Sequence, residues 1–82
     1  MMDAAEAKFC FKLIMEAWEN EHSFGDIYNM IIVWLETYYS LIKNKQVANA
    51  LLERASTGDE LKTIVEDFIY GDCCKLLRKE FS

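Results

Sequence analysis

The sequence predicts an all-α fold: a compact bundle of four to five helices around a central apolar helix at about residues 24–43. Three observations carry that reading. The 82 residues hold no proline and only three glycines, so few positions oppose helix. Apolar residues recur at helical spacing through five segments. Between those segments stand residues that cap helices rather than residues that make hairpins.

Asp3 with Glu6 has the spacing of a capping pair, and an amphipathic run follows to about Glu21. Ala7, Cys10, Phe11, Leu13, Ile14, Met15, Ala17 and Trp18 share its broad apolar face, opposite Lys8, Lys12, Glu16, Glu19 and Asn20. Ser23 or Asp26 starts the second helix, with Gly25 in the joint, and the helix runs to about Lys43. Ile27, Tyr28, Met30, Ile31, Ile32, Trp34, Leu35, Tyr38, Tyr39, Leu41 and Ile42 form an arc covering more than half its circumference. An arc that wide implies burial on two sides, which makes this helix the central one. Strand is the rival for "IYNMIIVW", since Ile, Val, Tyr and Trp favour sheets. The stretch shows no period-two alternation, and the run around it is too long for one strand.

Asn44 caps a short third helix through Arg54, with Val47, Leu51, Leu52 and Ala55 facing inward. Thr57 and Glu60 read as a capping box for a fourth helix that ends near Tyr70, with Gly71 as its C-cap. Leu61, Ile64, Val65, Phe68 and Ile69 form its apolar stripe. Asp72 then caps a last helix from Cys73 to about Phe81. There Cys73, Cys74, Leu76, Leu77 and Phe81 fall on one side, and Lys75, Arg78 and Lys79 on the other.

A chain of this length forms one domain, residues 1–82, and buries only about 60–65% of the surface its unfolded form exposes. A hydrophobic content of 52% answers that limit and leaves apolar surface for a partner or a second copy. No run of about 20 apolar residues is present, which argues against a membrane span. The first six residues lack the basic start of a signal peptide. Three cysteines, an odd number, fit a reducing compartment, and the cytoplasm is the expected location. The net charge of −5 opposes direct binding to nucleic acid or to anionic lipid and suits a protein partner with a basic surface.

The cysteines are the first candidates for chemistry. Cys10, Cys73 and Cys74 each sit at an apolar position, where free cysteine acts as a small hydrophobe. With His22 they number four, as a zinc site requires, but adjacent cysteines lack the two-to-four-residue gap that lets two sulfurs reach one ion. A redox pair wants two residues between its cysteines. Packing is therefore the expected role. No phosphate loop, GxSxG or HExxH pattern occurs, and neither catalysis nor a cofactor is expected.

Two features exceed the needs of a core. Glu16, Glu19, Glu21, Asp26 and Glu36 form one acidic cluster, and Asp59, Glu60, Glu66, Asp67 and Asp72 form another. Tyr70 falls on the acidic side of the fourth helix, and an aromatic among carboxylates makes a contact site for an Arg- and Lys-rich partner. The plainer account is a solvated face. Second, Phe9 and Val33 lie on the polar sides of their helices, which points to a partner helix or a dimer seam, unless the C-terminal helix covers Phe9. The third and fourth helices, joined by "RASTGD", have a helix-turn-helix outline, but Asp59 and Glu60 at the start of the reading helix would repel phosphates.

The expectation that gathers these readings is a non-enzymatic protein–protein interaction module. It would be a small acidic inhibitor or regulator, of a kind carried by phages or mobile elements, acting on the basic surface of a nucleic-acid-handling protein. Its contact residues would be Asp59, Glu60, Glu66, Asp67, Tyr70, Asp72, Phe9 and Val33. The alternative is a homodimeric helical structural or assembly subunit.

Overall fold

The computed structural model describes residues 3–81. Five α-helices follow one another, α1 (Ala4–Glu19), α2 (Phe24–Thr37), α3 (Lys45–Ser56), α4 (Leu61–Tyr70) and α5 (Lys75–Phe81). Single 3₁₀ turns lie at Tyr39–Leu41 and Asp72–Cys74. The described residues contain no strand. The fold is the expected all-α bundle, and α2 packs against α1, α3 and α4. No helix of the described residues is long and apolar enough to cross a membrane.

Local chemistry sets most helix starts. The Asp3 carboxylate accepts from Glu6 N–H at 2.8 Å, Ser23 Oγ from Asp26 N–H at 3.2 Å, and Asn44 Oδ1 from Val47 N–H at 3.4 Å. The Thr57–Glu60 capping box does not form. Thr57 closes α3 instead, its N–H bonded to Glu53 O and its hydroxyl donating to Arg54 O, and Glu60 precedes α4 with no side-chain cap. Gly58 explains the difference. At φ 82° it follows the C-cap of α3, and Asp59 N–H reaches back to Arg54 O at 3.2 Å, closing a Schellman turn.

The first helix ends at Glu19, two residues early, through the same device. His22 N–H bonds Ala17 O at 3.1 Å and Glu21 N–H bonds Trp18 O at 3.2 Å, with Glu21 in the left-handed region at φ 58°. Helix α2 ends at Thr37 rather than Lys43. The chain tightens into a 3₁₀ turn that buries Tyr38 and Ile42 and delivers the N–H groups of Lys43 and Asn44 to the Glu80 carboxylate, at 3.1 and 3.2 Å. The last segment is likewise divided. Asp72–Cys74 is a 3₁₀ turn, whose tighter winding rotates Cys73 and Leu76 out to solvent while Cys74, Leu77 and Phe81 stay buried.

All five helices feed one core, and Trp34 stands at its centre. Its indole N–H donates to Ala7 O at 2.9 Å, joining α2 to α1. Its ring meets Phe11, Phe68 and Phe81 edge-on, with centroids 5.5, 6.0 and 5.1 Å away. These edge-to-face contacts fix α1, α4 and α5 around α2 beyond what area burial alone supplies. Ile27, Ile31 and Leu35 of α2 are fully buried, as are Ile64, Val65 and Phe68 of α4. Ala48 of α3 is fully buried as well.

Candidate functional site

The structure distributes the eight residues chosen from the sequence over four places. Arg54 of α3 gathers two of them. Its Nε bonds Asp59 at 3.0 Å and its Nη1 bonds Asp67 of α4. Those two hydrogen bonds, Asp67 foremost, raise the Arg54 pKa further above its ordinary value. Glu66 lies 3.8 Å from Lys62 one turn earlier. Asp72 pairs with Lys75 at 2.9 Å, a bond that lowers its carboxyl below the usual range. Four of the five carboxylates read as one acidic surface thus have cations of the same chain beside them. Glu60 is exposed before α4.

Tyr70 has a different setting. It is 62% exposed, yet its hydroxyl accepts the Trp18 indole N–H at 2.9 Å. The two rings meet edge-on, centroids 5.8 Å apart. On its other side Trp18 packs against Phe24, at 5.7 Å. The end of α1, the start of α2 and the end of α4 therefore converge on an aromatic cluster that reaches solvent. Sequence reading placed Trp18 in the core face and gave Phe24 no role. The signal available for Phe24 was its position beside the Ser23 cap, where a side chain leaves the packed stripe.

The segment that ends α1 and forms α2 has no cation of its own, and Glu16, Glu19, Glu21 and Asp26 lie on the side of it that leads into this corner, whereas Glu36 lies in the last turn of α2. Residues 13–42 contain five acidic side chains and no Lys or Arg, while the rest of the chain carries nine acidic and nine basic residues. The whole formal charge of −5 therefore resides in the segment that ends α1 and forms α2. Among the described residues Glu16, Glu19, Glu21, Asp26 and Glu36 are exposed and form no ion pair. Glu66, one turn before Tyr70, has Lys62 beside it and adds no unpaired charge.

Phe9 and Val33 occupy separate faces, 61% and 62% exposed. Phe9 is not covered by α5. It borders an open groove of about 490 Å³ between α1 and α5, with Phe11, Met15 and Phe81 among the lining residues. Val33 borders a second groove of about 410 Å³ between α1 and α2, shared with Cys10, Leu13 and Met30.

The cysteines are packed only in part. Cys74 is fully buried, and that burial pushes its thiol up to about 12. Cys10 is half-buried with Sγ 3.3 Å from the Tyr38 hydroxyl, a hydrogen bond that is the main cause of raising the Tyr38 pKa to about 12. Cys73, expected on the apolar side, is exposed. His22 is exposed in the α1–α2 joint. Among the described residues no three His, Cys, Asp or Glu side chains gather as a metal-ligand set. Compared with protein-family models, curated proteins and solved structures, the chain has no match.

Proposed function

We propose that this protein is a non-enzymatic binding module that docks the basic surface of another protein through the corner where α1, α2 and α4 meet. The observation that carries the reading is the Trp18–Phe24–Tyr70 cluster, two of whose rings, Trp18 and Phe24, belong to the segment that holds the entire net charge. Exposed aromatic rings offer large contact area at small entropic cost, and they accept Arg side chains face-on. Carboxylates around them steer a cationic partner and set its orientation. A partner whose own ligand is a nucleic-acid backbone has such a surface, so occupation by this acidic corner would inhibit it. Three free thiols support action in a reducing compartment such as the cytoplasm.

A direct test follows the Trp18 indole N–H signal by NMR while an arginine-rich peptide is added. The reading expects shifts at Trp18, Phe24 and Tyr70 that disappear in Glu19→Lys/Glu21→Lys/Asp26→Lys and weaken at high salt. Shifts confined to Asp59, Asp67 and Asp72, or none in the corner, would remove it.

A second reading rests on Val33 and Leu13, which leave the α1–α2 groove without an apolar cover. A homodimer seam there would make the chain an assembly subunit. Val33→Glu would then halve the mass in solution, whereas the charge reversals in the corner would leave it unchanged.

A further inference from the structure

The groove between α1 and α5 combines two chemistries that the corner lacks. Phe9, Met15 and Phe81 make it apolar, and every charged side chain lining it is positive: Lys8, Lys12 and Arg78. Three of the chain's nine cations thus face one hollow of a protein whose net charge is −5. Among the described residues none of the three forms an ion pair, although Glu16 stands one turn after Lys12. Arg78 is held in place by donating to Ile69 O at 2.5 Å, which uses one of its five N–H groups and leaves others for a ligand. At about 490 Å³ the hollow has the size of a small-molecule site, which typically runs roughly 300–1,000 Å³.

We infer that this groove binds an aliphatic carboxylate, its hydrocarbon chain lying along Phe9, Met15 and Phe81 and its head group held by Lys8, Lys12 and Arg78. An apolar chain alone would satisfy the lining but leave the cationic rim unused. A compact anion alone would find the rim but gain nothing from the rings. The single-sign rim selects the carboxylate over a neutral or cationic head group, because a charge-assisted hydrogen bond is about twice as strong as a neutral one.

The test titrates the full chain with decanoate below its micelle concentration, by calorimetry and by amide shifts, beside decanol and decyltrimethylammonium. Decanoate is expected to shift the amides around Phe9, Met15 and Phe81 and to bind at least about tenfold more tightly than decanol, an advantage that charge-assisted bonds provide. Lys8→Gln/Lys12→Gln should erase most of that preference, and Phe9→Glu should abolish binding. The substituted positions, Lys8, Phe9 and Lys12, are exposed, and thermal melts of each variant are to establish first that it folds. Equal binding of decanol and decanoate would overturn the inference. So would the absence of shifts in the groove, or shifts of the same amides that track protein concentration alone, which would make a second copy the occupant.

Discussion

Gly71 is the position where one added methyl group tests the geometry most severely. It follows the last residue of α4 with ordinary dihedral angles, φ −67° and ψ 143°, so backbone conformation does not demand glycine. Space does. A Cβ there would lie 2.5 Å from Asp67 O and 2.9 Å from Asp67 Cα, and both are backbone atoms of the helix that Gly71 has just left. They can retreat only if the last turn of α4 opens, breaking the 2.9 Å bond from Gly71 N–H to Asp67 O. Overpacking of this kind costs typically about 1–3 kcal/mol. Stiffening of the unfolded chain by alanine returns about 0.4–1 kcal/mol. Gly71→Ala is therefore expected to destabilise by about 1–2 kcal/mol. For a domain of this size each kcal/mol moves the melting temperature by about 4–8 °C. Thermal and urea denaturation read by circular dichroism measure it. Gly25→Ala is the control, since Gly25 lies in the first turn of α2 with Ser23 Oγ, at 3.9 Å, its only close neighbour, and alanine there should stabilise. A Gly71→Ala protein that melts at or above the wild-type temperature would refute the packing described for this turn.

Four further outcomes follow from local features. Glu21→Gly should raise stability by about 0.5–1 kcal/mol in urea titrations, because it removes both a left-handed non-glycine residue and a carboxylate beyond the C-terminus of α1. Asn44→Ala should cost about 1 kcal/mol as a lost N-cap, whereas Thr57→Ala should cost less than about half that, since Thr57 caps no helix start. On the alkaline side, Cys74 and Tyr38 bind their protons more tightly folded than unfolded. Their stabilisation is complete below their ordinary values of 9.0 and 10.0 and is lost as pH rises towards about 12. Urea midpoints should fall from pH 9 upward, and Cys74→Ala should flatten the fall. A thiol reagent at neutral pH should label Cys73 before Cys74, as mass spectrometry of peptides would show.

What could be read from the sequence was what neighbours within four residues decide. The caps at Asp3, Ser23 and Asn44 belong to that class, as do the stripes of α1 and α4 except at Leu13 and Leu61, which were expected inside and lie exposed. The end of α2 does not, because the Glu80 carboxylate that receives Lys43 and Asn44 lies 36–37 residues away. Thr57 was locally ambiguous. A Thr-x-x-Glu pattern and a Thr-Gly helix end share the same residue, and the left-handed Gly58 decided between them. Cys73 and Leu76 leave the apolar side that an α-helical period assigns them because the 3₁₀ turn at Asp72–Cys74 winds more tightly than 100° per residue. For the site, the exposure of Phe9, Val33 and Tyr70 followed from periodicity. The capture of Asp59 and Asp67 by Arg54, and of Tyr70 by Trp18 across 52 residues, are tertiary facts. They move the weight of the acidic surface from α4 to the α1–α2 joint.

The central claim is that this joint, with its aromatic cluster, holds a basic partner. The most direct measurement is affinity capture from native lysate with three baits: wild type, Glu19→Lys/Glu21→Lys/Asp26→Lys, and Tyr70→Ala. Circular dichroism first establishes that all three are folded, and the captured complex is identified by mass spectrometry and sized by light scattering. The account expects a basic protein retained by wild type, lost with charge reversal and weakened by Tyr70→Ala. Retention of the same partner by all three baits, or recovery of nothing but the chain itself at twice its mass, would contradict it.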